Sequence, residues 1–256
     1  MSDPQAKAFS AEQLSLSWDG RRFVTRDVSL SVDVGEVVCV VGKSGCGKTT
    51  ILHALAGLMR PSSGRVLLHG QDVTGEPGQV SYMLQKDLLL PNLTIRDNAC
   101  LSLLIAGESK ASAHAKAEPL FERFGLEGTQ ELWPSQLSGG MRQRAAFMRT
   151  YLMGNDVVLL DEPFSALDAI TRTEMRDWYA EMARELGLAS VMVTHDVDEA
   201  VLMSDRIYVL VGDPRRGVPT TVGACVEPER SGEKDFPLSE AFLDAKRSVL
   251  SVLEKS

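Results

Sequence analysis

The stretch Gly42-Lys43-Ser44-Gly45-Cys46-Gly47-Lys48-Thr49 constrains this chain more than any other. It follows Val37–Val41, a solid apolar, β-branched run of the kind that forms a strand buried on both faces. It leads into Thr49–Leu58, which has helical character. Strand, glycine loop and helix, in that order, make the unit in which a phosphate site is expected, and the residues match G-x-x-x-x-G-K-S/T. The residue types follow from the chemistry. Glycines let backbone N–H groups approach phosphate oxygens with no Cβ in the way. A helix starting near Lys48 aims its free N-terminal donors at the same anion. Lys48 supplies a point charge for β- and γ-phosphates, and the Thr49 hydroxyl is a hard oxygen suited to Mg²⁺. Thr50 follows on the same helix start.

The rest of the chain supplies a matching scaffold. Residues 11–34 alternate, with Leu14, Leu16 and Trp18 on one phase, a turn at Asp19-Gly20, and Leu30, Val32 and Val34 in phase again. That pattern predicts an antiparallel hairpin with one buried face. Residues 64–84 hold short strands between glycine and proline turns. From Thr94 to Leu126 the pattern is helical, anchored by Leu101, Leu103, Leu104 and Phe121, and Pro119 is expected to start, kink or end a helix. Two more apolar strands lie at 156–160 and 190–194. Between them Met175, Trp178, Met182 and Leu186 form a core-facing helical stripe that Gly187 can cap. Apolar strands alternating with helices indicate an α/β fold with a parallel sheet. Asp213–Gly217 reads as a turn, residues 227–237 as a charged link, and Ser239 as the cap of a last amphipathic helix carrying Phe242, Ala245, Val249 and Leu253.

Further candidates cluster at strand ends. Val157–Leu160 runs into Asp161-Glu162, which delivers two carboxylates to the edge of a parallel sheet where ligands bind. Asp161 would hold Mg²⁺ through water, and Glu162 is the natural general base for an attacking water. His195 follows the 190–194 strand and could bond a γ-phosphate or that water. Gln85 follows the strand at 81–84, and its amide could reach Mg²⁺ or water. His53, His69 and His114 have no such context. Ser138-Gly139-Gly140 before a helix is a second anion device, about ninety residues from the first. Two chains placed head to tail would use both devices, each completing the other's site.

Composition limits the classes of partner. The 256 residues carry 27 basic and 35 acidic side chains, a net charge of −8, and 6% aromatics. Such a chain is a poor candidate for nucleic acid or for an anionic membrane surface, each of which calls for a basic footprint. Cysteines 39, 46, 100 and 225 show no C-x-x-C spacing and are expected to be reduced thiols of a cytosolic protein. The polar N-terminus carries no secretory signal, and no apolar run approaches the ~18 residues of a membrane span.

Taken together, the motifs resemble those of the ATP-binding subunit of ATP-binding cassette (ABC) transporters. GKSGCGKT resembles the family's phosphate loop, LSGGMRQR its signature, DVVLLDEP its acidic strand, SALD its dimer loop and VTHD its switch histidine. They stand in the family's order over roughly four fifths of the chain, from about residue 10 to 211. The resemblance implies a phosphate-loop ATPase core of RecA type, an antiparallel β subdomain, and a helical signature subdomain over about residues 86–155, within one ATPase domain spanning 1–256. It implies Gly42, Lys43, Ser44, Gly45, Cys46, Gly47, Lys48, Thr49 and Thr50 around the phosphates of ATP. It implies Mg²⁺ at Thr49, Gln85 and Asp161, and catalysis by Lys48, Gln85, Glu162 and His195. Trp18 would stack on adenine, or, on its alternation alone, sit in the hairpin core. Ser138, Gly139 and Gly140 would meet the γ-phosphate on a second cassette, with Asp168 at the seam. The implied partners are that second, head-to-tail cassette, a separate membrane permease and, indirectly, an extracytoplasmic binding protein, which puts the chain at the cytoplasmic face of the membrane. QKDLLLPNLTIRDN and FSALDAITR look most like importers of the nitrate, taurine and alkanesulfonate type, a group that includes carriers of thiamine-precursor pyrimidines. Sugar-importer subunits carry an extra C-terminal domain that is not expected here. Lys43 replaces a usual proline, Asn92 a frequent tryptophan and Tyr151 a usual small residue. The alternatives are an exporter cassette, a soluble cassette ATPase without a transporter, and a nucleotide-binding scaffold. The last is disfavoured because both Glu162 and His195 are present.

Overall fold

The computed structural model describes residues 7–18, 20, 22–229 and 236–255. The elements run β1 (Lys7–Ser17), β2 (Phe23–Asp33), β3 (Val37–Gly42), α1 (Lys48–Leu55), β4 (Ser63–Leu68), β5 (Gln71–Asp72) and β6 (Ser81–Met83). Then come α2 (Ile95–Ala99), α3 (Leu101–Ile105), α4 (Lys110–Arg123), α5 (Gly139–Tyr151), β7 (Val157–Asp161), α6 (Ala169–Leu186) and β8 (Ala189–Thr194). The last four are α7 (Val197–Met203), β9 (Arg206–Asp213), β10 (Val218–Val226) and α8 (Glu240–Glu254).

The strands order as β5-β4-β1-β2-β10-β9-β3-β8-β7-β6. From β9 to β6 every neighbour is parallel, and β5, β4, β1 and β2 form an antiparallel sheet. Strand β10 joins the two halves. It runs antiparallel to β9 and touches β2 at Thr220 and Thr25.

The central strands show why their sequences are continuously apolar. Along β3, Cys39 and Val41 enter one core while Val38 and Val40 enter the other. Along β7, Val158 and Leu160 face the first core and Val157 and Leu159 the second. A strand with period two and helices or sheet on both sides buries every residue. The first core lies under α2 and α4–α8, and the second lies between the parallel sheet, α1 and the β1–β2 hairpin.

The helices begin at side chains that accept the free N–H groups of a first turn. Thr94, Ser109, Ser138, Asp168, Asp196 and Ser239 cap α2, α4, α5, α6, α7 and α8. Gly187 ends α6 at φ 64°, the left-handed conformation expected of a C-terminal glycine. Helix α8 buries Phe242, Ala245 and Val249, as its spacing predicts. No helix among the described residues is long and apolar enough to cross a membrane.

Four expectations change. Val34 is not on the buried phase: it is 63% exposed in the turn before Gly35, because β2 ends one residue earlier. The stretch from Thr94 to Leu126 is three helices, and α3 has no fully buried residue. Leu101, Leu103 and Leu104 are only half-buried there. The anchors are Ile95, Ala99, Cys100, Ala113, Ala117 and Phe121, whose smaller members let α2 and α4 pack closely. Pro119 lies inside α4, which runs past it to Arg123, so of the expected start, kink or end only the kink is left. Burial of Ala113, Ala117 and Phe121 on one face outweighs one lost backbone bond. Strand β10 is the fourth, an element the sequence pattern did not announce. Asp19 and most of the 227–237 link lie outside the described residues.

Candidate active site

The glycine loop sits where β3 gives way to α1. Gly47 takes φ 100° as the residue before α1, and a Cβ there would lie 2.7 Å from Val24 Cγ1. Only glycine meets both demands. Lys48 is 7% exposed, and its Nζ bends back to donate to the carbonyls of Gly42 (2.8 Å) and Lys43 (3.3 Å). Cys46 is buried beneath the loop, and burial pushes its thiol up against the opposing pull of Lys48, so it fills space rather than reacting. Lys43, Ser44 and Gly45 face solvent. Above them opens a cavity of about 530 Å³. Trp18, Phe23 and Val24 line it, with Lys48, Thr49, Thr50 and Glu162. The volume suits a nucleotide-sized ligand. Trp18 is 69% exposed, so it belongs to this cavity wall and not to the hairpin core.

Three strand ends meet beside the loop. Asp161 ends β7 at 5% exposure. Burial raises its carboxyl above the ordinary range, with the neighbouring Glu162 adding to the effect, while hydroxyl bonds from Thr49 and Tyr82 oppose it. Glu162 takes a left-handed φ of 45°. Its N–H donates to Val193 O (2.9 Å) in β8, and its own carbonyl accepts from Ser165 Oγ (2.9 Å). A non-glycine residue in that conformation costs of order 1 kcal/mol or more and persists where its surroundings impose it, as happens at functional sites. The turn aims the Glu162 carboxylate at two further groups. Gln85 Nε2, just past β6, donates to Glu162 Oε2 at 3.3 Å and to Ser165 Oγ at 3.3 Å. His195 Nδ1, just past β8, lies 3.0 Å from the same Glu162 oxygen. Residues from positions 48, 85, 161, 162 and 195 thus share the carboxyl edge of one parallel sheet, the place where this architecture binds ligands.

Residues 25–165 match the ABC transporter family. The formylaminopyrimidine import ATP-binding protein ThiZ of Halalkalibacterium halodurans is 41% identical over 242 residues, covering 94% of each chain. The chain belongs to the ABC transporter family. The taurine import ATP-binding protein TauB of Pseudomonas aeruginosa is 40% identical over 210 residues, covering 81% of this chain and 80% of that one. Among solved structures, cbiO1 of Clostridium perfringens superposes with TM-score 0.78 over 98% of both chains at 20% identity, a likeness of fold. The ATP-binding cassette MJ0796, a dimer in a post-hydrolysis state bound to ADP and Pi, superposes with TM-score 0.71 at 25% identity, over 87% of this chain and 99% of that one. The chain is an ATP-hydrolysing cassette of the importer type.

In this cassette the second anion device stands apart. Ser138, Gly139 and Gly140 do not line the phosphate-loop cavity. Ser138 is exposed, and its Oγ accepts the Met141 N–H at 3.3 Å as the cap of α5. Gly140 is buried, and a Cβ there would lie 3.0 Å from Thr171 Cγ2, so its glycine also serves the packing of α5 on α6. Asp168 is exposed and caps α6, accepting the N–H groups of Ile170 (3.2 Å) and Thr171 (3.1 Å). The other histidines have ordinary surroundings: His69 pairs with Asp156 and His114 with Asp97, each at 2.8 Å, and His53 stands edge-on to Tyr82. Sequence reasoning missed Phe23 and Val24, which reach the cavity from the hairpin, and Pro214 and Arg215, which reach it from the β9–β10 turn. None carries a motif, and only the fold brings them to the loop. Ser165 opens the SALD motif, but its bonds to Gln85 and to the Glu162 carbonyl were not anticipated.

Proposed function

We propose that this cassette is the motor of a nutrient importer, working as half of a head-to-tail pair beneath a separate membrane permease. The observation that carries the reading is the convergence of Gln85 and His195 on Glu162, which lines the phosphate-loop cavity. ATP lies along that cavity, with adenine on Trp18 and the phosphates over Gly42–Thr50. Lys48 exchanges its loop carbonyls for the β- and γ-phosphates. Glu162 takes the proton of the attacking water. Gln85 and His195 fix the position of its carboxylate from either side, so the step is positioning and electrostatics around an in-line water.

The donors beside the loop fit Mg²⁺. The Thr49 hydroxyl, the Asp161 carboxylate and the Gln85 amide oxygen are hard ligands, and Asp161 is a buried carboxylate that the Thr49 hydroxyl already meets. Among the described residues no group of three or more His, Cys, Asp or Glu could hold a metal, so the nucleotide's own oxygens would have to contribute ligands. Mg²⁺ would offset charge on the β- and γ-phosphates.

The permease docks on the segment after Gln85. Leu88 and Leu90 are exposed there, 51% and 39% respectively, and so is Leu84 just before Gln85. They are held out by a firm backbone. Arg149 donates to the carbonyls of Leu88 (2.9 Å) and Asp87 (2.6 Å), and Asn98 bonds both the N–H and the carbonyl of Leu90. Exposed apolar side chains on a fixed backbone suit a protein partner. This seats the cassette peripherally on the cytoplasmic face, and an extracytoplasmic binding protein delivers cargo to the permease. The relatives support a small anion or organic nutrient of the nitrate, sulfonate, taurine or pyrimidine type.

The test is to tag the Glu162→Gln chain, express it in its native host, solubilise membranes with Mg-ATP and identify what is retained. A stoichiometric multi-span permease is the expected companion, and its binding protein then gives the cargo. Recovery of soluble dimer alone, or of ribosomes or DNA-repair factors, would overturn the importer reading.

A further inference from the structure

We propose that Arg215 binds the nucleotide held by its own chain, adding a positive charge to the phosphate cradle from the turn between β9 and β10. The proposal rests on the nucleotide reading above. Arg215 lines the same cavity as Trp18, Lys48 and Thr50, and its guanidinium lies directly over Gly45 in the glycine loop. A Cβ at Gly45 would sit 2.8 Å from Arg215 Nε and nearer still to its Cζ and Nη2. Glycine at position 45 therefore makes room for this arginine as well as for a phosphate.

The turn separates its two arginines. Residues Pro214–Arg216 form one tight helical turn that Gly217 closes at φ 81°. Asp213 Oδ1 accepts the Arg215 N–H at 3.2 Å, and Asp213 Oδ2 takes Arg216 Nε at 3.3 Å. Arg216 is thereby paired and lines a different cavity, beside Val252 and Lys255. The Arg215 guanidinium has no ion pair or hydrogen bond among the described residues. Lys48 is engaged on the loop carbonyls of Gly42 and Lys43.

The hairpin that carries Arg215 is fixed to the loop it overhangs. The buried Thr220 Oγ1 donates to the Cys46 carbonyl at 2.6 Å, and a Cβ at Gly42 would lie 3.1 Å from Leu210 Cβ. Binding groups on a rigid element lose little freedom when the ligand arrives. A guanidinium presents a planar fork that matches two phosphate oxygens, so Arg215 contacts the phosphates of ATP and ADP alike.

The test measures dissociation constants for Mg-ATP and Mg-ADP on the full chain, as wild type and as Arg215→Ala, Arg215→Lys and Arg216→Ala. Arg215→Ala is expected to weaken both nucleotides about three- to tenfold, the range for an exposed, charge-assisted contact. Arg215→Lys recovers part of the loss, because it keeps the charge and not the fork. Arg216→Ala stays within about twofold of wild type, as a paired, outward-facing charge should. Arg215→Ala binding as tightly as wild type, or more tightly, would overturn the proposal, the second result marking the arginine as a plug on an empty cradle. An equal loss in Arg216→Ala would also overturn it, by assigning the effect to the turn as a whole. A wild-type chain that binds neither nucleotide would defeat the nucleotide reading itself, so the two failures are told apart.

Discussion

The chain has two glycine-rich anion devices, and their surroundings differ completely. The loop at 42–49 lies between a buried strand and a helix, over a cavity of about 530 Å³, with a buried lysine, a buried aspartate and a strained glutamate beside it. The Ser138-Gly139-Gly140 device has a capped helix start and an exposed serine, and it faces none of those groups. Similar composition thus gives one site that is nearly complete within the chain and one that has nothing of its own to act on. A donor cluster of the second kind becomes useful when another chain brings a phosphate to it.

The comparison can be broken at either end. Glu162→Gln should leave ATP binding intact and slow hydrolysis by about 10²–10⁴-fold, the usual contribution of a general base. Turnover near wild type would remove Glu162 from the role and leave the strained backbone at φ 45° without a function. Ser138→Asp should come next. Aspartate keeps the cap of α5 and sets a negative charge where the partner's γ-phosphate would lie. Hydrolysis should fall by about 10²–10³-fold, as when a charge-stabilising donor is lost, while the isolated chain still binds ATP. Loss of nucleotide binding in that variant would mean the two devices act on one chain.

Asp161 gives the smallest effect and the clearest sign. Its raised carboxyl means that the folded apo chain holds the proton more readily than the unfolded chain. That contribution to stability is present below the ordinary carboxylate range and is lost as pH rises through the raised value. Asp161→Asn removes the charge. It should raise apo thermal stability near neutral pH by about 2–4 °C, the shift that ~1 kcal/mol gives at this chain length. The same variant should lose the added stability that Mg-ATP confers on wild type. A lower melting temperature in the apo variant would show that the buried charge is compensated.

Most of the site was legible because its chemistry is local. Gly42–Thr49 carry their own geometry, and Asp161-Glu162 and His195 each close an apolar run that could only be a buried strand. What escaped depends on distant packing. Leu101, Leu103 and Leu104 read as anchors, yet α3 lies at the edge of the core, and alanines at 113 and 117 give α4 its closer contact. Val34 kept the strand's phase after the strand had ended. Strand β10 holds proline, glycine and two threonines and alternates weakly, so only its pairing with β9 makes it a strand. Arg215 rides on that hairpin, and no spacing in the sequence ties it to a loop some 170 residues earlier.

The central claim is that each phosphate loop is completed by the signature of a second chain, and complementation tests it most directly. Lys48→Ala and Ser138→Asp chains are purified separately and then mixed, and ATP hydrolysis is measured against wild type under the same conditions. In a head-to-tail pair the mixed dimer has one ruined site and one intact site, the latter formed by the loop of the Ser138→Asp chain and the signature of the Lys48→Ala chain. Each variant alone should be inactive, and mixing should restore hydrolysis. Two inactive variants that stay inactive when mixed, while wild type turns over, would show that the signature serves its own chain and would contradict the paired-cassette mechanism.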